Sequence, residues 1–418
     1  MTTLDVAAPA DAGVHTARML LIATLIAMLV STSLTVGLEL AVYAVFLWFP
    51  SLRARLWTVI RQPAAIALLI FLGIVLIGAL HGSAPWADRL GAVAGWRKAF
   101  LFFLAAAAFD DAPSKRRLAG VFFAACLVAV MLSFVTHFWQ LDIYKAIGHG
   151  IIIINSGTQG IVFAIAAGIA AIALIDRTQF AGDPLLKYWP VALVAIVLFI
   201  LDIAFVLPGR SSYLALVVMM GTLAVMLGGQ SARMKAVSTA CVLAAVVAVL
   251  ATSERVRGRI AQAIDEMENV ERSPELTSAG IRVVMWQNTM RMIGDHPVLG
   301  VGTGSFHHAY QPYIAGGAGW QASEATDPHN QYMKIWAEQG ALGLLALLVF
   351  VATALATRGP MPYRAVGVGL LLAICASSFF NSHFSTFTEG RLVYFWLGAM
   401  LASGGGALPL RNSDVETI

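Results

Sequence analysis

The stretch QPAAIALLIFLGIVLIGALH, residues 62–81, contains no Lys, Arg, Asp or Glu and is long enough to cross a lipid bilayer as one helix. About 20 predominantly apolar residues suffice for that crossing. Similar runs recur along the chain. Of its 418 residues 59% are hydrophobic and 12% charged, and the mean hydropathy is +0.79. An ordinary globular chain is about a quarter charged, so a soluble single core is excluded, as are disorder, collagen-like repeats and a disulfide scaffold. Apolar runs between charges and turn residues predict twelve helices, at 17–32, 34–50, 62–81, 93–109, 118–137, 157–176, 187–207, 211–229, 234–251, 334–356, 363–381 and 389–404. The fold expected is an all-α polytopic membrane protein of about 12 transmembrane helices, with one large, partly helical outer loop.

Orientation follows from where the cations fall. With both termini inside, the inner side receives most of the Lys and Arg of the short connections, among them Arg18, Arg53, Arg55, Arg116, Arg117 and Arg364. The outer short loops receive few, as the bias of Lys and Arg toward the cytoplasmic side requires. Ser31, Thr32 and Ser33 separate the first two runs, which form either a tight hairpin or one broken helix; the charge bias favours the hairpin. The chain then divides into helices 1–9 over residues 1–251, an outward loop domain over 252–333, helices 10–12 over 334–404 and a cytoplasmic tail over 405–418. No cleaved signal peptide is expected. Cys126, Cys241 and Cys375 each lie in an apolar run, so neither a disulfide nor a thiolate metal site is expected. Nothing points to nucleic acid.

A loop of this length is a place to look for function. Within it TSAGIRVVMWQNTMRMIG, residues 277–294, predicts an amphipathic helix on which Arg282 and Trp286, four apart, share a face. An interfacial helix with Arg and Trp at headgroup level explains the same pattern. The segment PVLGVGTGSFHHAY that follows carries Gly300, Gly302 and Gly304, which predict a tight turn where backbone approaches a neighbour closely rather than a nucleotide-binding loop, because no strand precedes it. Next, ATDPHNQYMKIWAEQGALG opens the tenth helix. Asp327 is expected as its N-cap and Pro328 as its first residue, placing His329 in the first turn, where the helix dipole favours a neutral imidazole suited to act as a base. A capping or interfacial polar residue is the plainer reading of the same position. At the outer end of the seventh and eighth helices Pro208-Gly209 breaks the helix before Arg210. Asp202 lies inside an apolar run, and an arginine partner would be its ordinary explanation. Arg97 and Lys98 sit at the outer entry of the fourth helix, either snorkelling to headgroups or lining, with Arg210, an outward-facing cavity. Arginine forks suit phosphate.

The order R-x-x-x-W from Arg282, HPVLGVGTGSF, a glycine-rich loop and DPHNQYMKIWAEQGALG, with Arg210 upstream, resembles the O-antigen ligase and polymerase superfamily of membrane glycosyltransferases. The resemblance is sharp over 277–343. It implies a C-type glycosyltransferase architecture in a bacterial inner membrane, with the loop and active site facing the periplasm. Within that superfamily the O-antigen ligases are the nearest likeness. They use an undecaprenyl-pyrophosphate-linked O-antigen as donor and lipid A-core as acceptor, without metal or cofactor. Carried over by position, His329 resembles the catalytic histidine, and Arg210 and Arg282 the arginines that engage the donor pyrophosphate; Arg97 and Lys98 extend that set on charge and topology alone. With no carboxylate pair placed for a covalent intermediate, inversion at the anomeric carbon is expected. A polymerase or a protein oligosaccharyltransferase would use the same donor and arginines, and a transporter of a lipid-linked glycan is the alternative outside enzymes.

Overall fold

A computed structural model describes residues 9–139, 156–207, 209–229, 231–268, 278–317 and 323–403. Among the described residues the chain is helical, without a strand. All twelve apolar runs are helical. In chain order they give α1 (Pro9–Ala27), α2 (Thr32–Trp48), α3 (Pro50–Val59), α4 (Pro63–His81), α5 (Trp86–Gly95), α6 (Phe100–Ala108), α7 (Ala112–Phe138), α8 (Ser156–Ile175), α9 (Trp189–Leu201), α10 (Arg210–Leu227) and α11 (Ala232–Thr252). The loop contributes α12 (Glu254–Glu268), α13 (Ser278–Asp295) and α14 (Phe306–Ile314), and the chain returns through α15 (Gln331–Ala356), α16 (Tyr363–Ser377) and α17 (Thr388–Leu401). The predicted residues Thr277, Pro208 and the tail 405–418 lie outside the described residues.

Among the described residues, eight spans are long and apolar enough to cross a membrane: α4, α5 with α6, α7, α8, α9 with its last turn, α10, α11 and α15. A ninth crossing requires α2 and α3 together, and these are bent by 99°. The bend falls at Pro50, which lacks an N–H and so opens a new helix more readily than it continues one. Of the remaining runs, those in α16 and α17 are shorter than the sequence pattern suggested, while α1 starts and ends earlier than its predicted 17–32. Between α1 and α2 the chain makes a hairpin, with Ser31 capping α2 by accepting from the Leu34 N–H at 3.2 Å. The fourth run begins earlier than expected, at Trp86, because α5 joins α6 through a short 3₁₀ turn, Trp96–Ala99.

Small residues set the centre of the bundle. The span in α8 has 89% of its residues buried, against 11% in α11 at the periphery. A Cβ on Gly160 of α8 would fall 2.0 Å from Ser212 Oγ of α10, and one on Gly398 of α17 would fall 2.1 Å from the Phe102 carbonyl of α6. In lipid, where no hydrophobic force drives helices together, such backbone approaches supply the packing. Large apolar side chains such as Leu47, Leu80, Val128 and Leu345 point outward, more than half exposed, as a lipid-facing surface requires.

The loop helices have a small core of their own. Met292, Ile293, Val301, Phe306, Tyr310 and Ile314 bury together with Ala337 of α15, so the loop is seated on the bundle rather than tethered to it. The expected amphipathic helix is α13.

Candidate functional site

The glycine segment is the joint between loop and bundle. Gly300, Gly302 and Gly304 have φ of 69°, 95° and 75°, in the left-handed region that side chains disfavour. Space forbids a side chain as well: a Cβ on Gly302 would lie 2.3 Å from Gly82 Cα and 2.7 Å from the Gly78 carbonyl, at the end of α4. The same segment pairs with α15, the Val301 N–H donating to the Ala337 carbonyl (2.8 Å) and the Gly302 N–H to the Glu338 carbonyl (2.9 Å). Those carbonyls are free because α15 kinks at Gly340, whose φ is 67°. Thr303 completes the joint, donating to the Val75 carbonyl and accepting from Gln339 Nε2. The turn predicted from three alternate glycines is therefore present, and its neighbours are α4, α5 and the kink of α15.

His329 stands at the start of α15, but not as the sequence suggested. Asn330 is the N-cap, its Oδ1 accepting from the Tyr332 and Met333 N–H groups at 3.0 and 3.1 Å. The helix begins at Gln331, so His329 precedes the first turn. Asp327 is drawn away from capping because its carboxylate accepts instead from the His329 N–H (2.7 Å), Ser382 Oγ (2.6 Å) and Lys334 Nζ (2.6 Å). This holds His329 at φ 53°, the one non-glycine positive φ among the described residues. Such a conformation costs about 1–2 kcal/mol, and strain of this kind clusters at functional sites. The His329 side chain is exposed. Burial pushes the Asp327 carboxyl up, yet the Lys334 charge and its hydrogen bond, with those from Ser382 and the His329 N–H, hold it below the usual carboxylate range.

Two further elements close on this turn. Trp286 of α13 donates from Nε1 to the Pro328 carbonyl at 2.8 Å, which fixes α13 beside His329; Arg282 lies one helical turn away on the same helix and is half-buried. From the other side comes the connection between α16 and α17. The Gln331 N–H donates to the Ser378 and Asn381 carbonyls (2.9 and 3.2 Å), and the Gln331 side chain exchanges hydrogen bonds with Ser385. Lys98 reaches that same connection. Its ammonium donates to the carbonyls of Ser385 and Thr386 and is 3% exposed, buried against backbone rather than presented to a cavity. Arg97, about one-third exposed, lies 3.7 Å from Glu39, which also accepts from Tyr43 (2.6 Å) and from Arg391 Nε (2.9 Å).

Arg210 occupies the first position of α10, half-buried, beside a π turn at Asp202–Val206 that ends α9. Ser253 and Arg255 tie that turn to the start of α12 by donating to the Ala204 and Val206 carbonyls. Asp202 is not paired with Arg210: it is fully buried and faces the Ser133 hydroxyl rather than a cation. The structure thus joins His329, the helix of Arg282 and, through residues 378–386, Lys98, while Arg97 faces Glu39 instead. It does not place Arg210 in contact with His329.

Three groupings in this layer were not foreseen from the sequence: the buried Glu39–Arg391 pair, the joining of Asp327 to Lys334 and Ser382, and fully buried His383, whose Nδ1 is 3.7 Å from Glu389 Oε1. Glu39, Glu389 and Arg391 each interrupt an apolar run, which is itself the signal that could have flagged them.

Residues 199–348 match the O-antigen ligase family, a segment containing Arg210, Arg282, the glycine joint and His329. An uncharacterized protein of Haemophilus influenzae is 27% identical over 93 residues, 21% of this chain and 23% of the relative, so the chain spans less than a quarter of that protein's length. The likeness read from the sequence therefore holds where its motifs lie: from the end of α9 to the middle of α15 this multi-pass membrane chain is similar to the O-antigen ligase family.

Proposed function

We propose that this protein is an O-antigen ligase, moving a polysaccharide from undecaprenyl pyrophosphate to a sugar hydroxyl of lipid A-core. One observation carries the reading: an exposed histidine in a strained turn, held by Asp327 and braced by Trp286, inside the family-matched segment. His329 is the base. As the acceptor oxygen bonds to the anomeric carbon, the hydroxyl proton passes to the imidazole, and the bond from that carbon to the pyrophosphate oxygen breaks with its electron pair leaving on the phosphate. A neutral imidazole has its proton affinity near working pH. The leaving group gathers negative charge, and Arg210 and Arg282 are the groups assigned to stabilise it, as fixed guanidinium groups in a partly dry site can do. Arg97 is the third cation of that set. Lys98 acts by holding residues 385–386 in place, since its ammonium is committed to their carbonyls.

A single displacement inverts the anomeric centre and uses no metal in this scheme. The reading places the chain in an inner membrane with twelve crossings, and residues 252–333 with the site in the periplasm. Deletion of the gene in its host tests it. Long polymer accumulating on the carrier while lipid A-core stays bare supports the ligase, whereas single repeat units on the core would make the protein a polymerase. With purified protein, His329→Ala is expected to abolish transfer with donor binding retained, and Arg210→Ala or Arg282→Ala to weaken donor binding. Full activity in His329→Ala refutes the assignment of the base.

A further inference from the structure

At the far end of the bundle from His329, Lys115 donates to the Ala399 carbonyl in the last turn of α17, and a cavity of about 400 Å³ opens beside it. The first turns of α7 and the turn at 182–185 enclose it, with Arg116, Arg117, Gly120, Val121, Ala124 and Leu185 on its walls. Its shape depends on Gly120: a Cβ there would fall 2.0 Å from Asp183 Oδ2, so only glycine lets that turn close over the helix. Asp183 Oδ1 accepts from the Leu185 and Leu186 N–H groups at 2.9 and 2.8 Å, capping its own turn.

The charges of the cavity are unbalanced. Arg117 is exposed and has neither an ion pair nor a hydrogen bond among the described residues, while Arg116 is half-buried, its guanidinium facing the Tyr363 hydroxyl and no carboxylate. Nearby Arg18 differs, being bound to Asp110 and Asp111. Two cations against Asp183 leave one positive charge, the complement of one phosphodiester. Above the cavity Val121, Val128 and Met131 of α7 are 38%, 61% and 50% exposed and lie at helical spacing on one face. A cationic mouth continuous with an exposed apolar track has the form of a phospholipid. Basic pockets between membrane helices bind anionic headgroups in this way.

We infer that the cavity between α7 and the turn at 182–185 is a binding site for an anionic phospholipid, its phosphate held by Arg116 and Arg117 and an acyl chain lying along Val121, Val128 and Met131. An anionic lipid is favoured over a zwitterionic one because two arginines face the cavity against the single carboxylate of Asp183, one oxygen of which already accepts from the Leu185 and Leu186 N–H groups. The inference is independent of the transfer reaction.

The test is native mass spectrometry of the full chain, delipidated in detergent and titrated with phosphatidylglycerol or phosphatidylcholine. Phosphatidylglycerol is expected to bind preferentially. At about fivefold for each cation near a lipid phosphate, Arg117→Ala should weaken binding about fivefold and Arg116→Ala/Arg117→Ala roughly thirtyfold. Arg117 is exposed and makes no ion pair or hydrogen bond among the described residues, and an unchanged unfolding temperature in Arg117→Ala checks that the fold survives its substitution. Ala124→Leu, which fills the cavity without changing charge, should also reduce binding, and Arg233→Ala/Lys235→Ala, with the same charge change on α11, should not. An equal loss in that control, no preference between the two lipids, or displacement by millimolar inorganic phosphate overturns the proposal.

Discussion

Replacing Asp327 by alanine removes three hydrogen bonds at once: those from the His329 N–H, Ser382 Oγ and Lys334 Nζ. The left-handed backbone of His329 costs about 1–2 kcal/mol, and a hydrogen bond to a charged acceptor contributes about 1.5–3 kcal/mol. Without the carboxylate the balance tips, and His329 relaxes toward ordinary backbone angles for much of the time. A tenfold fall in the competent population corresponds to about 1.4 kcal/mol, so Asp327→Ala is expected to lower transfer at least tenfold. The Lys334 ammonium is also left without its partner. Breaking a buried pair costs about 3–5 kcal/mol, but here the side chains are 19% and 22% exposed and Glu338 lies nearby, so at most about 3 kcal/mol of stability should be lost. Asp327→Asn separates the two effects, because its amide oxygen can still accept from the His329 N–H. Transfer should therefore survive better in Asp327→Asn than in Asp327→Ala, while thermal unfolding falls in both. Asp327→Ala/Lys334→Met should regain stability and not activity. The assay is transfer from lipid-linked glycan to core lipid by purified protein, alongside unfolding curves. Transfer within twofold of wild type in folded Asp327→Ala refutes the argument.

Other outcomes follow from the same geometry. Gly302→Ala places a Cβ 2.3 Å from Gly82 Cα at φ 95°, and should cost about 3 kcal/mol or more, read as a drop in unfolding temperature, with Gly316→Ala as a positive-φ control in open space. Arg391→Ala leaves Glu39, which is 1% exposed, with only Tyr43 and the more distant Arg97; a loss of up to about 3 kcal/mol is expected, partly recovered in Arg391→Ala/Glu39→Gln, and additivity in that double-mutant cycle would show the pair uncoupled. Asp327 has its pKa held below the usual value, so its contribution to stability is fully present above the unfolded value near 3.9 and is lost as pH falls through the lower folded value. An unfolding profile in Asp327→Asn that matches wild type through that acid window would contradict the linkage.

Much of this could be read from local pattern. The apolar runs fall on helices, eight of them long enough to span among the described residues, and Ser278–Asp295 could be read as a helix from its periodicity and end signals. The alternate glycines implied a close backbone approach, though not that α4 and the α15 kink are the neighbours. His329 was found by its place in a motif, but its setting was misjudged. Asp327 looked like an N-cap, and the residue that draws it away, Ser382, is 55 positions distant. Lys98 looked like a cavity cation for the same reason, since the carbonyls it meets lie nearly 300 residues on, at Ser385 and Thr386.

Composition, periodicity and charge bias thus determined by themselves that the chain is a helical membrane protein and that the joint before α15 needs glycine, while the resemblance of its motifs to a known family named the histidine and arginines to suspect. These are local consequences: hydropathy and helix periodicity act over about 20 residues, and steric freedom over one. The tertiary structure alone decided that α2 and α3 meet at 99°, that Asn330 caps α15, that His329 is held in a left-handed turn, and that Asp202 lacks an arginine partner. Each of these depends on which polar groups meet across the bundle. A buried carboxylate takes the donors nearest in space, and sequence distance does not enter that choice.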